Sequence, residues 1–234
     1  AYGAEKWAKK VSDDTERVLS TRKIAVIGVF SAIAAVLMLF DFPVPFAPPF
    51  YKMDFSELPA LIGTFAYGPV AGVMIELCKT VLKLLMKGTT TAFVGDLANF
   101  FIGCSFLLPA SVIYLLKKTR KNAVVGCIVG TTVMTVVGTA FNAVYLLPKF
   151  AELYGMPLDA IIGMGTAINP AITNISSFAI MAVAPLNILK GVTVSVATLL
   201  VYKKLSPVLK AGEPMNGRTK REKTGMRTLE KKSS

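Results

Sequence analysis

The stretch PLNILKG, residues 185–191, sets a lysine between two apolar runs, FAIMAVAP (178–185) and VTVSVATLLV (192–201). Neither run is spread as an amphipathic stripe. Both read as helix surrounded by hydrocarbon. Proline is preset for the first turn of a helix, so Pro185 is read as the start of a helix over 185–204. Lys190 then lies five residues in, roughly 8 Å below the outer end at ~1.5 Å per residue. Asn187, three residues earlier, shares its face. Ionisable side chains at such depth mark a functional cavity.

The rest of the chain has the same character. Of 234 residues, 53% are hydrophobic and 17% charged, well short of the quarter or so expected of a soluble domain. Apolar residues come in long blocks, giving an all-α membrane protein with six helices: 24–40, 57–67, 69–87, 96–116, 123–147 and 185–204. Residues 1–23 are read as an N-terminal tail, 24–205 as the membrane domain and 206–234 as a basic C-terminal tail. The Met-less opening AYGAEKWAKK carries no weight in this division. The first apolar block continues as a span and does not end at a small-residue cleavage site, which argues against a cleavable leader. Tyr67-Gly68-Pro69 splits a block too long for one span. Pro148 is taken to end the fifth helix, leaving a long connection over 148–184. Asp96 is read as the N-cap of the fourth helix. The four prolines of DFPVPFAPPFYKMDFSE (41–57) predict an extended, stiff loop.

Six helices put both termini on one side. Of the 26 basic residues, 20 lie in the N-terminal tail, the 117–121 loop and the region from Lys203 onward, which makes that side cytoplasmic. The net charge of +12 is thereby explained as topology and attraction to anionic lipid, not nucleic-acid binding. With this orientation the intramembrane polar residues gather in the outer half. They are Asn187 and Lys190, Asn142 on the fifth helix, Asp96 and Asn99 on the fourth, and Glu76, Lys79 and Lys83 on the third. The inner halves carry hydroxyls but no charges or amides. That pattern suggests a ligand pocket open outward and blind inward, where a channel would be lined along its whole depth. Two plainer readings stand beside it: Lys79, Lys83 and Lys87 snorkel to headgroups, and Asn142 makes an interhelical hydrogen bond. On the first helix Ala25, Gly28, Ala32 and Ala35 form a stripe of small residues that lets another helix approach, from this chain or from a partner.

Much chemistry is excluded. The chain has no histidine, which removes imidazole catalysis and most zinc sites. Cys78, Cys104 and Cys127 share no metal-ligand spacing and read as packing. No Walker A motif or Gly-x-Ser-x-Gly elbow is present. The expectation is a binder with no catalytic residues, no metal and no cofactor.

Three stretches, FPVPFAPPFYKMDFSELPALIGTFAYGPVAGVMIEL (42–77), GTTTAFVGDLANFFIG (88–103) and APLNILKGV (184–192), resemble the riboflavin-specific substrate-binding subunit, or S component, of energy-coupling factor (ECF) vitamin transporters. The resemblance spans most of 24–208. It implies six helices, an outward vitamin pocket and a gating loop between helices one and two. It also implies that Asn187 and Lys190 hydrogen-bond the flavin with help from Asn142. In the loop, Phe42, Val44, Phe46 and Ala47 are candidate contacts; Asp96 and Asn99 complete the candidate set. The small stripe on the first helix would meet a transmembrane coupling subunit that works with two cytoplasmic ATPases. Riboflavin is neutral, with apolar rings edged by acceptors and a polyol tail. It suits apolar walls with a few placed donors. Flavin mononucleotide is left open as a second ligand. An S component for an anionic vitamin such as folate or pantothenate would also suit Lys190 and a helix N-terminus. A self-sufficient secondary transporter or channel is the alternative of another class, disfavoured by the absent inward polar path.

Overall fold

The computed structural model describes residues 2–3, 21–89 and 91–210, with Arg22 and residues 202–210 described by backbone alone. Most of both expected tails, and the basic residues they contribute to the charge asymmetry, lie outside the described residues. Residues up to Leu199 form one compact unit, and a second begins at Leu200.

The elements in order are α1 (Thr21–Leu39), β1 (Phe42–Pro43), β2 (Lys52–Met53), α2 (Glu57–Tyr67), α3 (Pro69–Lys87), α4 (Val94–Leu116) and α5 (Arg120–Phe141). A π-helical turn, Asn142–Leu146, then leads into α6 (Leu147–Tyr154). It is followed by α7 (Leu158–Thr166), α8 (Ile175–Phe178), a second π-helical turn, Ala179–Val183, and α9 (Ala184–Lys210). The two strands pair antiparallel, Phe42 opposite Met53 and Pro43 opposite Lys52. The proline-rich loop is thus extended as expected but folded back on itself, a two-residue ladder inside an otherwise helical protein.

The break between α2 and α3 falls where the sequence puts it. Gly68 takes φ 95°, a conformation that favours glycine, its N–H closes α2 on the Thr64 carbonyl at 2.8 Å, and Pro69 opens α3. The start of α4 differs from expectation. Thr89 Oγ1 accepts from Phe93 N at 2.9 Å and Thr91 Oγ1 accepts from Gly95 N at 3.1 Å. With these hydroxyls serving the free amides, Asp96 is not the cap; it sits inside the first turn, buried.

The two prolines expected to bound helices do not. Helix α5 runs through its π turn and past Pro148 to Tyr154, and α9 is the continuation of a helix that begins at Ile175. Each proline lies just beyond a turn closed by an i→i−5 bond, Leu147 N–H to the Asn142 carbonyl and Ala184 N–H to the Ala179 carbonyl. A proline ring clashes with the carbonyl four residues back, and the wider turn makes room for it without stopping the helix. The real start is a capping box at Asn174: its Oδ1 accepts from Ser177 N at 2.8 Å, and Ser177 Oγ accepts from Asn174 N at 2.9 Å. Lys190 therefore lies fifteen residues beyond Ile175, about 22 Å along the helix, not five residues from its start. The supposed long connection over 148–184 is mostly helical.

Among the described residues, three helical stretches are long and apolar enough to cross a membrane: Val94–Leu116, Arg120–Tyr154 and Ile175–Val201. Six spans are expected from the sequence. Of the remaining three helices, the apolar part of α1 (Lys23–Leu39) is shorter, α2 has 11 residues, and α3 carries Glu76, Lys79, Lys83 and Lys87. Helices α4 and α5 meet at backbone distance: a Cβ on Gly126 would stand 2.5 Å from the Ala110 carbonyl oxygen, and one on Gly130 2.6 Å from that of Phe106. Their spacing of four is the small-residue motif of close helix pairs. On α1, Ala25, Gly28 and Ala32 remain exposed while Ala35 packs inside.

Gly130→Ile should therefore lower stability by about 2 kcal/mol, read as a lower midpoint of thermal unfolding in detergent. Gly28→Leu, where a Cβ meets nothing within 4 Å, should leave that midpoint unchanged.

Candidate ligand site

Asp54-Phe55-Ser56-Glu57, at the junction of the proline-rich loop and α2, organises the buried charges. Asp54 Oδ1 accepts from Ser56 N at 2.8 Å and turns the chain into the helix. Glu57 then presents one carboxylate to two lysines: Oε1 lies 2.9 Å from Lys190 Nζ and Oε2 2.7 Å from Lys79 Nζ. Lys79 also reaches Glu76 Oε2 at 2.8 Å and donates to Ser56 Oγ at 3.0 Å. Its side chain is 0% exposed, so the snorkelling reading fails for Lys79. The lysine turns inward because three oxygens wait there for its three protons. Lys83 instead bonds Asp96 Oδ1 at 2.6 Å, and Lys87 reaches Asp41 at 3.2 Å.

Beside this cluster lies a cavity of about 260 Å³. Asn99, Asn142, Asn187 and Lys190, expected from the sequence on three different helices, all line it. Lys190 adds contacts to Asn99 Oδ1 at 3.4 Å and Asp54 Oδ2 at 3.6 Å. Asn142 is committed at both ends of its amide, accepting from the Tyr51 hydroxyl at 2.6 Å and donating to the Gly138 carbonyl at 2.7 Å. Asn187 is not: its Nδ2 is buried without a partner, pressed where a Cβ on Gly138 would stand 2.6 Å away. Buried amide donors are normally paired, so an unpaired one on a cavity wall points to a ligand acceptor.

The loop side of the cavity differs from expectation. Val44 and Ala47 are buried in the apolar core, Phe46 packs against that core, and Phe42 is 41% exposed and stacks near Phe55. None of the four lines the cavity. Phe50, Tyr51, Lys52 and Asp54 do. Asp96 also stays outside it, holding Lys83, which does line it. The residues missed on the sequence, Asp54 and Glu57, had one legible signal. Lys190 has no acid within a turn of its own helix, so its counter-charge had to come from another element, and the acids nearest the proline-rich loop are few.

The mouth is held by charge. Burial opposes ionisation of Asp41, but hydrogen bonds from Lys87 and Lys52 outweigh it and hold the carboxyl below its usual range. Burial pushes the Tyr51 phenol well above its ordinary value, so it remains a protonated donor to Asn142.

Residues 22–202 match the family described as ECF transporter, substrate-specific component. The chain belongs to that family. Among curated relatives, the riboflavin transporter RibU of Staphylococcus aureus (strain TCH60) is 39% identical over 81% of this chain and 93% of its own. The riboflavin transporter FmnP of Bacillus subtilis (strain 168) is 32% identical over 81% and 94%. A solved structure described as the S component of a bacterial ECF transporter superposes with a TM-score of 0.63 at 37% identity, covering 81% of this chain and 98% of that one. This protein is thus a transporter's substrate-specific S component and not an enzyme. A second groove of about 500 Å³, between α5 and α9 of the S component, has no charged or amide side chain in its lining and so no strong means of orienting a polar solute. The cavity beneath the loop has aromatic walls, amides and a lysine, the mixture that holds a largely apolar molecule in one orientation.

Tyr51→Phe removes the buried bond to Asn142 and leaves its Oδ1 unpaired. It should destabilise the unliganded protein by about 1–2 kcal/mol, seen as a lower unfolding midpoint.

Proposed function

We propose that this S component captures riboflavin from outside the cell and delivers it through a transmembrane coupling subunit driven by two cytoplasmic ATPases. The observation that carries this reading is the unpartnered, buried amide of Asn187 beside Lys190 on the cavity wall. Riboflavin's ring edge offers the acceptor that the Asn187 amide lacks. The names of the relatives support the vitamin's identity. The charge balance supports it over an anionic vitamin: Lys190 is already met by Glu57 at 2.9 Å and Asp54 at 3.6 Å, so it serves as a placed donor and needs no carboxylate from the ligand. In this reading the chain crosses the membrane six times with both termini cytoplasmic, the short α2 being shielded by its neighbours. The exposed Ala25, Gly28 and Ala32 face the coupling subunit.

Protein purified from cells should be yellow, with the fluorescence of its flavin quenched; a colourless protein that fails to bind added riboflavin would overturn the proposal. Lys190→Ala should weaken riboflavin binding by more than tenfold in a fluorescence titration without loss of fold. Ala32→Leu should leave affinity intact yet impair uptake by cells, and full uptake would contradict a partner-facing role for that helix.

A further inference from the structure

Lys190, one of the lysines that line the cavity, does not set its own position. Lys190 extends from α9 on a flexible four-carbon stem, and its shortest polar contact is Glu57 Oε1 at 2.9 Å; Asn99 and Asp54 lie further, at 3.4 and 3.6 Å. Glu57 is 1% exposed and absent from the cavity lining, so it acts on a ligand only through Lys190. Its other oxygen is fixed by Lys79, which donates to Glu57 and Ser56 at 2.7 and 3.0 Å and lies 2.8 Å from Glu76 Oε2. Helix α4 closes over the pair where Gly103 has no side chain; a Cβ there would stand 2.6 Å from Glu76 Oε2 and 3.2 Å from Glu57 Oε2. Two fully buried groups that do not line the cavity are thus built around a cation that does.

We infer that Glu57, braced by Lys79, is a positioning residue that aims the Lys190 ammonium into the cavity and so sets the affinity for the ligand. Ordering a lysine during binding costs conformational entropy; a lysine already held by a carboxylate has met that cost on folding. The second oxygen of Glu57 matters as much as the first, because a carboxylate free to rotate would let the ammonium swing out of the cavity.

This inference rests on the riboflavin reading for its affinity readout alone. Riboflavin dissociation constants are measured by flavin fluorescence quenching for the unsubstituted protein, Glu57→Gln, Lys190→Ala and the double variant. Glu57→Gln should weaken binding about tenfold when Lys190 is present and less than twofold in the Lys190→Ala background. Equal losses in both backgrounds, or no loss from Glu57→Gln, would overturn the inference. A ligand-free readout runs alongside it: labelling of Lys190 by a small acylating reagent, followed by mass spectrometry. Released from its carboxylate, the amine should react at least threefold faster in Glu57→Gln, and equal rates overturn the inference. If the unsubstituted protein binds no riboflavin, the vitamin reading fails and the labelling rates still decide the role of Glu57. If Glu57→Gln does not fold, Glu57→Asp, which keeps the charge for Lys79 but draws it back from Lys190, carries both measurements.

Discussion

One carboxylate shared between two lysines governs this protein. A charge taken out of water is tolerated only when its partners are in place, and removal of one partner from a buried pair costs about 3–5 kcal/mol. Lys79 comes from α3, Lys190 from α9, Glu57 from the first turn of α2 and Asp54 from the loop before it. None of these side chains is stable in an apolar interior by itself. The four elements must therefore assemble together, and the loop that covers the cavity is tied to the same cluster that supplies its cation. Loop placement and the position of Lys190 are consequently not independent properties.

How much of this could be read beforehand depends on whether the deciding contact is local. The break at Tyr67-Gly68-Pro69 was legible because a positive φ and a first-turn proline are local requirements. The convergence of Asn99, Asn142, Asn187 and Lys190 was legible because amides and a lysine in hydrocarbon have little else to do than line a cavity. Lys79 was misread because its spacing with Lys83 and Lys87 is equally that of a snorkelling stripe. What turns it inward is Glu57, 22 residues away in sequence. Along the loop, residues 42–47 and 50–54 both carry aromatic side chains, although the second set also holds Lys52 and Asp54. Which set faces the core and which the cavity is decided by the two-residue ladder and by Tyr51 reaching Asn142, neither of which leaves a periodic trace.

The prolines show a subtler limit. As single residues, Pro148 and Pro185 signal helix ends, and they misplace both boundaries. The wider turns that accommodate them are invisible in the sequence, yet they do more than preserve helix continuity. Asn142 opens the first π turn and Leu146 closes it; Val183 closes the second, and Leu186 and Asn187 follow. All five line the cavity.

An extra residue in one turn rotates everything beyond it by roughly 100° relative to an uninterrupted α-helix. Phe178, just upstream of the second turn, and Ala182, within it, belong to the apolar core, with the Phe178 ring lying 6.1 Å from the Tyr51 ring. Downstream, the same helix presents Asn187 and Lys190 to the cavity. The offset thus lets one continuous helix pack its N-terminal part under the loop and turn its polar pair toward the cavity, without the break that the proline would otherwise impose. The cost of a lysine in PLNILKG is offset by Glu57, but its direction is set jointly, by that carboxylate and by the turn that closes at Val183, seven residues before it.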